Sequence, residues 1–189
     1  STDMARLQNL TLNPFKLDAA LIHAFPRRLA MRYAVLPVAE EDQTLVLASE
    51  RQVSQVSLGA ISRQLGRPVT WRLAPQGRVT LGLRYWYGGD RLNEQTRTVL
   101  EVAHKHQDDE ALLERICVRQ VLFGDLLQVR GILPSALFNQ ALIDFDPERQ
   151  SLGQHLMERG MIDRSVLDDA LRRQAEEQHE SYLLAKEAL

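Results

Sequence analysis

The sequence has a single cysteine, no long apolar run and no excess of charge of either sign. Cys117 has no second cysteine to pair with, which fits a protein of a reducing compartment. No apolar stretch approaches the roughly 20 residues of a membrane-spanning helix, and no signal peptide is visible. A formal net charge of −2 does not favour nucleic acid as a partner. We therefore expect a cytoplasmic chain that binds no nucleic acid and does not itself insert into a membrane.

Motifs for catalysis are also lacking. The chain has no G-x-x-x-x-G-K-[ST] loop, no G-x-S-x-G nucleophile and no H-E-x-x-H metal motif. His104 and His106 would point to different faces of a helix, and no third ligand stands near them, so a solvated turn is favoured over a metal site. Cys117 stands among apolar residues, which favours a buried structural thiol over a nucleophile. We expect no enzymatic activity, no catalytic residues, no metal and no cofactor.

Apolar spacing divides the chain into parts. The chain begins at Ser1 without an initiator methionine, so we expect a piece of a larger protein. Residues 1–16 are polar and are interpreted as a linker, whereas 17–89 predict the order α-α-β-β-α-β-α. Residues 90–121 predict connecting helices, and 122–180 an all-helical part. The expected fold class is α+β, a small α+β subdomain followed by an all-helical tandem repeat.

The helical part contains an internal repeat. Residues 122–145 return as residues 151–174 after a five-residue spacer. Aligned without gaps, the two copies share these pairs: Gly124/Gly153, Leu127/Leu156, Arg130/Arg159, Gly131/Gly160, Ala141/Ala170 and Leu142/Leu171.

Each copy predicts two helices joined by a glycine turn. The first helix ends at Gly131 or Gly160, because glycine adopts the left-handed conformation at little cost. An apolar residue follows two positions after each glycine (Leu133 and Ile162), and then a second helix begins. Asp163 is expected to cap that helix in the second copy, and Ser135 in the first.

The early glycines of the two copies, Gly124 and Gly153, fall inside predicted helices. Glycine lowers helix stability there by about 1 kcal/mol relative to alanine, so its repetition indicates that another group packs directly against the helix backbone. If that group is a ligand, alanine at Gly124 or Gly153 should weaken ligand binding while thermal stability holds or rises.

From the pattern alone, a pair of helical hairpins whose apolar faces only form a core is favoured over a repeat that binds a ligand. The second copy, however, matches R-L-G-x-x-L-x-x-x-G-x-V-x-x-x-x-L-x-x-L-L-x-x-Q from Leu152 to Gln174, and the first matches it with Phe123 and Phe138 in place of leucines. This doubled pattern resembles the MshEN domain of secretion and pilus ATPases and of some bacterial glycosyltransferases. Residues 17–89 resemble the α+β part of secretion-ATPase N-terminal regions. Here that part precedes the helical motifs, an order that resembles the regulatory region of an inner-membrane glycosyltransferase required for phage adsorption.

The resemblance implies a receptor for cyclic di-GMP, a ligand with two guanines and two phosphates. It implies these ligand-binding residues: Leu122, Phe123, Gly124, Leu127, Arg130, Gly131, Phe138, Leu142, Ser151, Leu152, Gly153, Leu156, Arg159, Gly160, Leu167, Leu171 and Gln174. Backbone N–H groups near the early glycines and at helix starts would serve base edges and phosphates.

The chain departs from the motif at functional positions. The guanine-contacting arginine of the family is replaced by Leu122 and Ser151, and the final glutamine of the first copy by Phe145. Nearby basic candidates are Arg119, Arg130, Arg149 and Arg159. The expected function is a sensor that acts on an effector domain of the same parent, a membrane glycosyltransferase or a secretion or pilus ATPase. The alternative is a protein-docking module that binds no nucleotide.

Overall fold

The computed structural model describes residues 11–189. Residues 1–10 of the predicted linker lie outside this described part. Within the remainder of that linker, Leu12 and Phe15 are buried. The stretch from 11 to 16 is therefore packed against the domain rather than surrounded by solvent.

The first seven elements follow the order that the sequence predicts. They are α1 (Ala19–Ala24), α2 (Arg27–Tyr33), β1 (Leu36–Glu41), β2 (Thr44–Ser49), α3 (Gln55–Leu65), β3 (Val69–Leu73) and α4 (Arg78–Tyr87). A short 3₁₀ turn at Gly89–Arg91 leads to the connecting helices α5 (Glu94–Lys105) and α6 (Glu110–Cys117). The repeat follows as α7 (Phe123–Val129), α8 (Ser135–Ile143), α9 (Leu152–Glu158) and α10 (Arg164–Glu187). The predicted α+β class is confirmed.

The sheet has three strands in the order β1-β2-β3. β1 and β2 form an antiparallel hairpin whose two turn residues, Asp42 and Gln43, both have positive φ, as a tight hairpin turn requires. β3 pairs with β2 in parallel after the crossover through α3. The central strand is the most apolar, and Leu45 to Ala48 are buried along it. The helices therefore pack against this sheet.

The helix ends of the repeat follow the predicted chemistry with one exception. Gly131 and Gly160 adopt φ of 67° and 71°, the left-handed turn that ends the first helix of each copy. Asp163 caps α10 by accepting a hydrogen bond of 2.9 Å from the backbone N–H of Val166. The prediction that Ser135 caps α8 is wrong, because Pro134 holds the cap position without a side-chain bond. Ser135 instead donates from its hydroxyl to the side-chain oxygen of Gln128.

One hydrophobic cluster runs from the sheet into the repeat. Leu29 and Leu47 of the α+β unit share it with Phe138 and Leu156 of the two copies. A second cluster joins α5 and α6 to the end of α10, and within it Cys117 is buried and the pKa of its thiol is raised to about 12 by burial. The repeat is thus packed directly on the α+β unit. Among the described residues, no helix combines the length and apolarity needed to cross a bilayer.

Candidate ligand-binding site

A cavity of about 310 Å³ lies where the repeat meets the α+β unit. Both copies of the motif line it with equivalent positions, because each first helix begins at its wall and each second helix returns to it. The first copy contributes its first three residues and its last (Leu122, Phe123, Gly124 and Phe145). The second contributes its first two and its last (Ser151, Leu152 and Gln174). We name this the motif cavity.

The α+β unit supplies the opposite wall of the motif cavity. Its lining side chains include three arginines, Arg32, Arg51 and Arg84, together with Thr80 and Leu83. No aspartate or glutamate lines the cavity within the described part of the chain. The wall is therefore locally cationic although the whole chain carries a formal charge of −2, so an anion is the ligand class that the site favours.

The three arginines differ in how their charge is compensated. Arg51 forms an ion pair of 2.5 Å with Asp125 of α7, and its guanidinium lies 4.7 Å from the ring centre of Phe138. Arg84 donates a hydrogen bond to the neutral side chain of Gln120, and burial lowers the pKa of its guanidinium to about 10. Arg32 has no ion pair with any of residues 11–189, and its Nε is buried without a hydrogen-bond partner there.

The early glycines serve packing inside the protein. A Cβ built on Gly124 would lie 2.5 Å from Cζ of Phe138, and one on Gly153 would lie 2.4 Å from Cδ1 of Leu167. Each glycine thus admits a side chain from the second helix of its own copy. This geometry opposes the expectation that alanine there leaves stability unchanged or higher. At Gly124 the added methyl group would collide with the buried Phe138 ring, and at Gly153 with the movable end of Leu167, so a loss of stability is expected that is larger at Gly124.

The two copies also pack against each other reciprocally. Leu152 of the second copy lies 3.4 Å from the position of a Cβ at Gly124, and Phe123 of the first copy lies 3.3 Å from that at Gly153. α7 and α9 therefore begin side by side with their backbones close together. This close approach brings the two motif starts into one cavity.

The remaining predicted ligand residues are not among the residues that line the cavity. Five are side chains of the core: Leu127, Phe138, Leu142, Leu156 and Leu167. Leu171 is 46% exposed on α10, and Gly131 and Gly160 lie at the outer turns. Their assignment as ligand-binding residues stays a prediction.

Three of the four arginines named from the sequence, Arg119, Arg130 and Arg159, form ion pairs on the surface, and Arg149 is exposed. Arg130 of the first copy pairs with Asp169 of the second, and Arg159 of the second pairs with Asp144 of the first. These contacts join the copies, and Arg130 holds the pKa of Asp169 below its usual value. Arg119 pairs with Glu177 at 3.3 Å. The effect of these arginines on ligand affinity stays a prediction.

Sequence reasoning missed Arg32, Arg51 and Arg84 because it looked for basic residues inside the repeat. Each lies on or beside an element of the α+β unit, at least 38 residues before the first motif begins at Leu122. The amphipathic pattern of an element shows which face is buried but not which distant element covers it. Only the packing of the repeat on the sheet unit brings these arginines to the motif starts.

Glu50 organises the helix that carries Arg84. Its carboxylate accepts hydrogen bonds from the backbone N–H groups of Gly77 (2.7 Å) and Thr80 (2.6 Å) and from the Thr80 hydroxyl (2.7 Å). These bonds fix the start of α4. Burial raises the pKa of Glu50 more than these hydrogen bonds lower it.

The raised pKa of Glu50 predicts a pH-dependent stability. The folded protein binds this proton more tightly than the unfolded chain, so stability from this group is present below the ordinary pKa of 4.5 and is lost as pH rises through the folded value. We expect the unfolding free energy of the wild type minus that of Glu50→Gln, which cannot titrate, to fall with rising pH across this window. Denaturant titrations at several pH values measure it, and a difference that rises with pH would contradict the assignment.

Comparisons with known proteins bear on this site. The MshEN domain family model matches residues 5–92, slightly less than half of the chain. Bacteriophage adsorption protein B of Escherichia coli strain K12 is 30% identical over 171 residues, which cover 88% of this chain and 23% of that protein. Bacteriophage N4 adsorption protein B of Escherichia coli O157:H7 has the same identity and coverage. No solved structure matches.

The two kinds of match differ in how much of the chain they cover. The family match takes in the α+β unit and ends before Leu122, so the placement of the motif on residues 122–174 stays a prediction. The relatives match beyond that point, and the chain spans about a quarter of their length. The resemblance that the sequence predicts is confirmed: residues 5–92 match the MshEN domain family, and most of the chain is similar to the bacteriophage adsorption proteins B.

Proposed function

We propose that this chain is a cyclic di-GMP-binding regulatory domain of a larger bacterial protein, and that the motif cavity is its binding site. The observation that carries the proposal is the convergence of equivalent motif positions from both copies on one cationic cavity. A ligand with two chemically equivalent halves suits such an arrangement, since each half can meet one copy.

The lining of the motif cavity suits the chemistry of this ligand. Phe123, Phe145 and Leu152 offer apolar surface for the faces of guanine. Gln174 donates from its amide to the backbone oxygen of Val121 at 3.0 Å, which leaves its side-chain oxygen to accept from a base edge. Ser151 and Gln150 add further polar groups at the rim. Apolar walls with a few convergent polar groups are typical of small-molecule sites.

The comparisons with known proteins support a regulatory role. Its match to the MshEN domain and the far greater length of its relatives favour a sensor that acts on an effector in the same parent protein. We propose that the parent is a membrane protein, a glycosyltransferase rather than a secretion ATPase, and that this domain lies on its cytoplasmic side. On this proposal the domain has no catalytic activity of its own and needs no metal or cofactor.

Filling the cavity tests the proposal. Leu122 is half-buried in the cavity wall, so Leu122→Trp should block the site. Cyclic di-GMP is expected to raise the thermal midpoint of the wild type by mass action and to leave that of Leu122→Trp unchanged. Val56→Trp, at a position 57% exposed on α3, is the matched control and should respond like the wild type.

An unchanged wild-type midpoint at saturating cyclic di-GMP would remove the proposed function and favour the docking-module alternative. An equal shift in wild type and Leu122→Trp would instead place the nucleotide outside the motif cavity.

A further inference from the structure

Two arginines of the motif cavity form no ion pair with any of residues 11–189. We infer that Arg32 and Arg84 bind the phosphate groups of the ligand, so that the α+β unit supplies cations to a cavity whose lining from residues 122–174 contains none. This inference rests on the proposed function for the identity of the ligand. It assigns phosphate binding to a part of the chain outside the tandem motif.

Arg32 provides the first support. Its side chain lines the cavity from α2, and its Nε is buried with no hydrogen-bond partner among residues 11–189. Its guanidinium carbon lies 5.9 Å from the centre of the Tyr33 ring. Leaving a buried charged donor unsatisfied is costly, and an anion in the cavity would satisfy it.

Arg84 provides the second support. It lines the same cavity from α4, and none of the ion pairs within residues 11–189 includes it. Its hydrogen bond goes to Gln120, a buried neutral side chain that in turn donates to Ser181 at 2.9 Å. The nearby Glu50 attracts the Arg84 charge without forming an ion pair with it. Arg84 is therefore held in place by Gln120, and its guanidinium has no direct carboxylate partner among residues 11–189.

Arg51 differs from these two, although it lines the same cavity. Its charge is paired with Asp125 and it lies over the Phe138 ring, so it joins α7 to the α+β unit. The cavity thus offers two guanidiniums without an ion pair among residues 11–189 and one that is paired. A cyclic dinucleotide carries two phosphates, and the planar fork of arginine matches phosphate oxygens in a bidentate way.

Substitution of Arg32 tests the inference by calorimetric titration with cyclic di-GMP. We expect Arg32→Ala to weaken binding at least tenfold, about 1.4 kcal/mol, and Arg32→Lys to weaken it less, since the charge is kept without the fork. Arg28→Ala on the same helix is the matched control, because Arg28 is exposed and outside the cavity. For Arg84, Arg84→Lys keeps a donor for Gln120 and should also bind more weakly.

A second readout separates phosphate contact from a merely structural role. Wild-type affinity should fall as salt is raised, and it should fall less steeply in Arg32→Ala because one charge contact is gone. A thermal midpoint for Arg32→Ala equal to or above that of the wild type would agree with loss of a buried Nε that has no hydrogen-bond partner among residues 11–189.

The outcomes distinguish this inference from the proposed function. Unchanged affinity and salt dependence in Arg32→Ala, with normal wild-type binding, would overturn the inference and leave the function standing. If the wild type binds linear pGpG but not cyclic di-GMP, and Arg32→Ala loses that binding, phosphate binding by Arg32 is supported and cyclic di-GMP is excluded as the ligand. If the wild type binds neither nucleotide, both the inference and the proposed function are contradicted.

Discussion

Replacing Leu156 by alanine is expected to lower the free energy of unfolding by about 2–5 kcal/mol, the usual range for a buried leucine. Leu156 has no exposed surface and lies in the cluster that joins the repeat to the sheet unit. Leu127, at the equivalent position of the first copy, is also 0% exposed and should behave in the same way. Chemical denaturation with matched m-values measures both changes.

Leu171→Ala is the control for this substitution. Leu171 belongs to the same predicted set of ligand residues, but 46% of its surface is exposed, so its loss should change stability far less. If Leu156→Ala instead kept wild-type stability and lost only nucleotide affinity, the side chain would contact the ligand and the burial described above would be contradicted.

Replacing Gly124 by alanine is expected to destabilise the protein by about 1–3 kcal/mol, the range for overpacking a core. The new methyl group would lie 2.5 Å from the buried Phe138 ring, which cannot bend away as a flexible chain end can. Gly153→Ala should cost less, because its neighbour is the terminal methyl of Leu167. The thermal midpoint of the free protein and its denaturation midpoint measure both.

Gly59→Ala in α3 is the matched control, since the nearest atom to its Cβ is the movable end of Arg63 at 3.3 Å. There alanine should hold or raise stability, as helix propensity dictates. Adding Phe138→Leu to Gly124→Ala should restore part of the loss, because the second copy has leucine at this position. A free-protein midpoint for Gly124→Ala at or above the wild-type value would contradict this packing.

Local features of the fold follow from the sequence. The strand and helix order from Ala19 to Tyr87 agrees with the prediction from apolar spacing, and Gly131 and Gly160 end their helices with positive φ as expected. Asp163 caps α10 as predicted. Each of these outcomes depends on interactions within a few residues, such as a turn conformation or a cap, and local sequence specifies them directly.

Contacts between distant segments could not be predicted in the same way. The repeated glycines indicated close packing, and the structure shows Phe138 and Leu167 packed against them. A glycine shows that space is needed without showing what fills it. Likewise, the leucine stripes predicted apolar faces, and burial against the sheet unit uses those faces for the core. The cavity arginines emerged only once the two units were packed together.

The central claim is that the two copies and the α+β unit together form one cyclic di-GMP site. Isothermal titration of the wild-type chain with cyclic di-GMP tests it most directly, because heat, affinity and stoichiometry are obtained at once. We predict saturable binding with one ligand per chain, and loss of that binding in Leu122→Trp. Absence of any heat of binding at millimolar cyclic di-GMP, with a correctly folded protein, would contradict the claim.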